Sequence, residues 1–493
     1  MRKYWADLAA ALLLYIATSV LAGQVFRFPF DDEVYTLQLI ERRSFAWLAS
    51  SYAVNNDVHP PLSYLLVRAL HHLGLADSGM RLVSLLMTAA SLLIFQFLAL
   101  LWIERRNNQA PAHLSRMAAI LLFGLAPLAI SYGDALRWYP PFAMFVALFV
   151  AAYFLIRRDL VRLAAGALLG LAASTSLLAF IVAAAFAVFR YRLERRFRWQ
   201  FDLGFWLLAA AFGGLGIVST YGLIFLHPRT AMTQITAAPI VSLPIDVLGF
   251  LGGERLGIGQ AWIVVPGLVI TAIAIISAID RKHPASPFHF LLLLLLTAIP
   301  LTLVGFIKPR SFLYLVPVVA AIVVFYLDQQ IEQRYYRWVL VVLTLFVALS
   351  AAAIGSIRGN AHPFKRELAI PYQEAMDFIE LNRKGRMLVI SSDPVVTWML
   401  RGTGDRCVEF FNAGKRCLDV SEHYDSVFIV SGHSDKSANA LLMRQFAALI
   451  AGATAGREKR ATMAFGLDRD AALKSRLSGV ALDERLLRIE FYQ

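Results

Sequence analysis

The densest group of side chains able to do chemistry lies between Phe30 and Pro61, FDDEVYTLQLIERRSFAWLASSYAVNNDVHPP. Asp31, Asp32 and Glu33 open it, Asn55, Asn56 and Asp57 follow an amphipathic segment, and His59 precedes the rigid pair Pro60 and Pro61. An alcohol is a poor nucleophile at neutral pH, and an aligned carboxylate can take its proton as the new bond forms. Like charges side by side near apolar helices disfavour full ionisation, which makes such a base stronger. The competing reading is that three exposed acids cap the next helix at its positive end. Two other clusters carry charge: GDALRWYPP holds Asp134, Arg137, Trp138 and Tyr139, and KPR holds Lys308 and Arg310. A guanidinium stays protonated and can grip two phosphate oxygens. Asp134 and Arg137 could equally pair with each other at an interface while Trp138 and Tyr139 join an aromatic belt.

What must position these residues is a membrane domain. The chain has 493 residues, is 58% hydrophobic and 16% charged, and has a mean hydropathy of +0.61, which excludes an ordinary soluble protein. A net charge of +13 could indicate nucleic acid, but the basic residues form short clusters between apolar runs, where the positive-inside rule puts them. No nucleic-acid partner is expected. Met1, Arg2 and Lys3 precede an apolar run with no A-x-A-like cleavage site, so this run is expected to be an uncleaved first helix.

With the N-terminus cytoplasmic, a span at about residues 6–26 delivers the acidic loop to the outer face. Residues 82–103 return, 117–132 go out to GDALRWYPP, and 141–156 come back to Arg157 and Arg158. Residues 163–189 are uncharged and fit one tilted span or a hairpin of two short helices turning at Ser174, Thr175 and Ser176. The hairpin puts Arg190, Arg192, Arg195, Arg196, Arg198, Arg281, Lys282, Arg334 and Arg337 inside, against Arg229, Arg255, Lys308 and Arg310 outside. A single span would reverse this, so the hairpin is preferred. Spans then follow at 205–226, 261–278, 290–307, 312–327 and 338–356, about eleven in all. The glycine-rich outer loop at 228–260 suits a mobile cover and is weak as a phosphate loop.

The expected fold class is an α-helical polytopic membrane protein with a soluble C-terminal α/β domain, divided as 1–358 and 359–493. In the tail, helices are expected at 371–382, 395–401 and 436–452, strands at 386–391 and 426–431, and an alternating end LLRIEFYQ. Cys407 and Cys417 both fall there; an oxidising compartment would let them pair, and two free thiols remain the alternative.

Four stretches taken in order carry a resemblance: DDEVYTLQLIERR, then HPPLSYLLVRALHHLGLADSGMRLVSLLMTAASLL, then SYGDALRWYPPFAMFVALFVAAYFL, then KPRSFLYLVPVVAAIVV. Together they resemble the polytopic glycosyltransferases of the GT-C fold, and more narrowly the branch with bacterial protein O-mannosyltransferase-like and lipid A aminoarabinose-transferase-like enzymes. The tail is similar to the α/β periplasmic domain of some members. The resemblance implies a bacterial inner-membrane enzyme with its active site outside, which moves a sugar from a polyprenyl-phosphate donor to an acceptor hydroxyl with inversion. The acceptor would be lipid A, lipopolysaccharide core, another envelope glycolipid or a protein. The family's first-loop acid pair matches Asp32 and Glu33, with Asp32 as base; Asp31 and Asp57 become candidate sugar or acceptor contacts. Arg310 matches the family's arginine before a Pro-containing apolar helix and, with Lys308, would hold the phosphate; Ser311 stands where the family often has an aromatic. Asp134, Arg137 and Tyr139 match an acid-x-x-Arg-x-Tyr pattern that would contact acceptor or phosphate. His59 matches a His-Pro-Pro motif and could bind sugar or phosphate, ligate a metal with Asp57, or cap a helix. Basic side chains can stabilise the leaving phosphate without metal, so no obligatory cofactor is expected. A lipid-linked-sugar transporter is the other class, although it would be expected to carry charges or broken helices at mid-membrane.

Overall fold

The computed structural model describes residues 2–22, 31–52, 59–156, 158–194, 197–222, 287–303, 309–332, 371–400, 406–409, 424–432, 440–467 and 485–493. The chain divides into two compact units, one of Met1–Phe26, Leu39–Leu256 and Gln260–Arg358, the other of Arg27–Gln38, Gly257–Gly259 and Gly359–Gln493.

The first unit is helical and is built around Asp77–Asn107, a 31-residue helix about 46 Å long. Asn108 ends it in the left-handed region at φ 53°, which asparagine tolerates better than most residues. Between Leu82 and Ile103 it has no charge. Arg81 and Glu104 mark its two ends, about 35 Å apart at helical rise, a little more than the hydrocarbon thickness of a bilayer. Around Glu104 the charges pair among themselves. Lys3 lies 2.6 Å from Glu104, and Arg116 grips Asp7 with bonds of 2.7 and 2.9 Å. Asp328 accepts from Asn107 at 2.9 Å and Ser115 at 2.6 Å. Arg190 meets Asp202 at 3.1 Å and Glu194 at 2.9 Å, and Tyr153 also donates to Glu194. Trp102 against Phe154, and Phe154 against Phe189, join these two groups at one end of the helices.

Among the described residues, Asp77–Asn107 and His113–Ile130 are long and apolar enough to cross a bilayer, and Trp199–Phe212 with Gly214–Tyr221 adds a third if that pair, bent by 65°, is one span. Trp5–Leu21 and Tyr139–Leu155 are shorter apolar helices. The span expected at 117–132 is interrupted, with one helix ending at Gly124 and another starting at Pro127, where proline lacks the N–H to continue the ladder. In the uncharged run at 163–189 the break falls where expected: Asp159–Thr175 ends, Ser176 is extended, and Ala179–Val188 begins. The Asp159–Thr175 helix packs on the bent pair through glycines. A Cβ on Gly166 would strike the Phe205 carbonyl, and one on Gly170 would lie 2.5 Å from that of Ala209. The expected spans at 261–278 and 338–356, and the loop at 228–260, lie outside the described residues.

The second unit holds a five-stranded sheet in the order β2-β1-β3-β5-β4, with β1 Met387–Ser391, β2 Arg406–Glu409, β3 Ser426–Gly432, β4 Lys459–Leu467 and β5 Arg485–Tyr492. β1 pairs in parallel with β2 and β3, while β5 runs antiparallel to β3 and β4. The helices are Tyr372–Asn382, Pro394–Met399 and Ala440–Thr454. β1 is buried along its whole length, which is why MLVIS reads as a continuous apolar run. Strands β2 and β4 are additions to the elements read from sequence. Cys407 pairs in register with Leu388, and Cys417 lies outside the described residues.

Candidate active site

The GDALRWYPP segment is held irregular from both sides. Pro140 and Pro141 fall in the first turn of Tyr139–Leu155, where proline is tolerated, and they stop that helix from extending backward. Before Asp134 the backbone is pinned at Gly133, whose carbonyl accepts from Thr88 at 2.9 Å. The Tyr15 hydroxyl occupies the space a Cβ on Gly133 would need, and itself donates to the Ala129 carbonyl at 3.2 Å. Only glycine fits there, so Trp5–Leu21 and Asp77–Asn107 together set where the next residue points.

That residue, Asp134, is fully buried beside an equally buried arginine: Arg81 Nη1 lies 3.5 Å from Asp134 Oδ2. Three residues on, Arg137 donates to the Tyr64 hydroxyl at 3.2 Å and stands over the Tyr64 ring. The His59 and Trp138 rings meet at 5.0 Å, and Trp138 also touches Tyr139 at 4.6 Å. Tyr314 stands edge-on to Phe142, with ring centroids 4.9 Å apart. The Pro309–Leu315 turn that carries Arg310 packs against Tyr139–Leu155 and Pro127–Tyr132. His59, Asp134, Arg137 and Tyr139 are therefore one cluster, and the backbone bearing Arg310 adjoins the same helices. Among the described residues this cluster brings two arginines and one carboxylate into a wall of aromatic rings. Such a setting can hold an anion by charge and a ring by its faces.

Trp138 and Tyr139 are 2% and 3% exposed, so the aromatic-belt reading of this pair is corrected: the two rings are buried against each other, His59, Tyr132 and Phe142. His59 lies two residues before the N-cap position of Leu62–His72, which Pro61 occupies, and its ring is engaged by Trp138. Asp31, Asp32 and Glu33 form the first turn of the Asp31–Arg42 helix, where the positive helix end favours carboxylates. Glu33 is buried, as are Val34, Leu37 and Ile40, so the picture of three exposed caps fails at Glu33. These three acids belong to the second unit. Asp57 and Lys308 lie outside the described residues. Among the described residues no group of three or more His, Cys, Asp or Glu side chains could hold a metal ion.

Sequence reading missed Arg81, Tyr64 and Tyr314. Arg81 had a signal, a lone cation at the mouth of an uncharged run long enough to cross a membrane, which reads as an interface charge until its carboxylate is known.

No protein-family model matches the chain, and no curated protein matches it by sequence. Among solved structures, ArnT from Cupriavidus metallidurans in the apo state aligns with a TM-score of 0.54 at 12% identity, over 98% of this chain and 97% of that one. The same protein bound to undecaprenyl phosphate aligns over the same shares at 0.49 and 12%. The mycobacterial arabinofuranosyltransferase AftD gives 0.44 at 16%, with this chain spanning 41% of its length. The last two scores add nothing to the first. At 12% identity the likeness to apo ArnT establishes architecture alone, and the chain has the GT-C fold that its four motifs imply.

Proposed function

We propose that the chain is a polytopic membrane glycosyltransferase that moves a sugar from a polyprenyl-phosphate donor to an envelope lipid or glycan acceptor by an inverting single displacement. The observation that carries this reading is the coincidence of the GT-C fold with the buried cluster of Arg81, Asp134, Arg137 and Tyr64, built from motifs that the sequence independently shares with such enzymes. Asp32 removes the acceptor proton as the bond to the anomeric carbon forms, with Glu33 beside it. Lys308 and Arg310 neutralise the departing lipid phosphate. Arg137 orients the donor, and Arg81 holds Asp134 in place. Asp31, Asp57, His59 and Tyr139 are contacts for sugar or acceptor.

The same reading gives about eleven spans, an outward-facing site in a bacterial inner membrane and a division at about residue 358. Lipid-linked-sugar turnover by the purified protein tests it. Release of free polyprenyl phosphate that depends on acceptor supports transfer, whereas movement of the intact donor across a vesicle membrane without release would make the chain a transporter. Mass spectrometry of envelope lipids and glycans with and without the gene identifies the sugar and acceptor.

A further inference from the structure

Residues 151–226 contain eight arginines, three acids and no lysine, and all of these charges fall between Arg157 and Asp202. The structure gathers the described ones at one end of the helices: the start of Asp159–Thr175, the Phe189–Leu193 segment that follows Ala179–Val188, and the start of Trp199–Phe212. A chain of contacts joins them. Arg198 bonds Asp159 at 2.9 Å, and Asp202 accepts from the Arg198 backbone N–H at 2.7 Å and from Arg190 Nε at 3.1 Å. Arg190 also reaches Glu194 at 2.9 Å, Tyr153 donates to Glu194 at 2.8 Å, and Arg162 lies over the Tyr153 ring.

All three carboxylates are thereby taken by arginines of the same group, and five described arginines stand against them. Arg158 and Arg192 are exposed, and their guanidinium groups make no ion pair or hydrogen bond among the described residues. Arg162 gives its Nε to the Ile156 carbonyl at 3.1 Å and meets no carboxylate among the described residues. Large apolar side chains are exposed at the same end, with Leu160 at 78% and Trp199 at 63%. From Trp199 the exposure continues through Leu203 and Leu207, spaced by four residues and so on one face of the Trp199–Phe212 helix. That helix, with Gly214–Tyr221, is apolar enough to cross a bilayer if the bent pair is one span. An open leucine face suits acyl chains, and a tryptophan at its end suits the bilayer interface. The guanidinium groups beyond it suit phosphate, which they can grip through two oxygens.

We propose that this end of the first unit binds acidic phospholipid, with headgroups over Arg158, Arg162 and Arg192 and acyl chains along Trp199, Leu203 and Leu207. The surplus of arginine over carboxylate selects an acidic headgroup over a zwitterionic one, whose own cation it repels. The proposal needs the chain to be embedded in a membrane and does not depend on sugar transfer.

The test uses the purified full chain in phosphatidylcholine nanodiscs carrying a trace of phosphatidylglycerol with a photoreactive acyl chain. Labelling is expected on the peptide containing Trp199, Leu203 and Leu207. Added unlabelled phosphatidylglycerol should cut that labelling about tenfold, whereas added phosphatidylethanolamine, which is zwitterionic, should leave it unchanged. Arg158→Gln combined with Arg192→Gln should reduce the labelling about fivefold or more, since each basic side chain near a headgroup contributes about that factor. Arg460→Gln, which removes an exposed charge from the second unit, should not. If the double variant fails to insert, the competition on the wild-type chain decides alone. Absence of label from that peptide, equal competition by the zwitterionic lipid, unchanged labelling in the double variant or an equal fall in Arg460→Gln overturns the proposal.

Discussion

Among single residues, the buried Arg81 and Asp134 pair anchors the cluster. Removing one partner of a buried ion pair leaves the other charge in a poor solvent, so Arg81→Met is expected to destabilise the protein by about 3–5 kcal/mol. Adding Asp134→Leu should recover part of that loss, because it removes the carboxylate that the first change strands. Thermal unfolding of the detergent-solubilised protein checks both, and equal stability of Arg81→Met and wild type would remove the pair from the account. Tyr64→Phe takes away one acceptor from Arg137 and should cost about 1 kcal/mol by the same assay. The residue types of this cluster were legible in the sequence, since the acid, arginine and aromatics of GDALRWYPP stand out in an apolar chain. Their partners were not. Arg81 and Tyr64 are distant in sequence and nothing in local spacing says which helices will face each other.

At the scale of elements, the helix break at Ser176 was legible because an uncharged run of 27 residues is interrupted at Ser174, Thr175 and Ser176, where a break was expected. The close packing beside that break was not, because it depends on glycines whose role appears only when a neighbouring backbone comes near. Gly166→Val and Gly170→Leu are expected to cost about 1–3 kcal/mol each, as the added carbons force the Asp159–Thr175 helix away from the Trp199–Phe212 helix. Gly214 has open space where a Cβ would stand, so Gly214→Ala should be neutral or slightly stabilising. A comparison of the three unfolding temperatures separates packing from a general intolerance of glycine replacement. In the second unit, β1, β3 and β5 were read from apolar runs or alternation. β2 and β4 escaped, the first because four residues carry little pattern, the second because the edge strand KRATMAFGL opens on two charges, is largely exposed and lacks a clean alternation.

At the scale of the whole molecule, acid should act on the β4 and β5 pair. Burial alone would raise the Glu490 carboxyl, but bonds from Lys459 and Tyr492 and the charges of Lys459 and Arg488 outweigh it and hold the group below its ordinary value. A carboxyl depressed in the folded state adds stability that is fully present above its unfolded value, about pH 4.3, and is lost as pH falls through the lower folded value. Tyr492 is pushed up to about 12 by burial and by its bond to Glu490, so its contribution is present at neutral pH and lost as pH rises through that value. Protection of the β4 and β5 amides in the intact chain, taken relative to the intrinsic exchange rate at each pH, should therefore fall at the acid end, and Glu490→Gln should flatten that dependence. The membrane character was legible in composition and charge placement, the GT-C fold was implied by the resemblance of four ordered motifs, and the likeness to apo ArnT agrees with that fold. The sugar and the acceptor are not written in such patterns, because they depend on a few side chains brought together from distant segments. The central claim is the transfer of a sugar with Asp32 as the base. Its most direct test is release of undecaprenyl phosphate from undecaprenyl-phosphate-linked sugars, measured by mass spectrometry with the purified full chain and envelope-lipid extract as acceptor. Wild type is expected to release the carrier, and Asp32→Asn, with carrier binding retained, to do so at least about a hundredfold more slowly; release at the wild-type rate by Asp32→Asn, or none by wild type with any donor, would contradict the account.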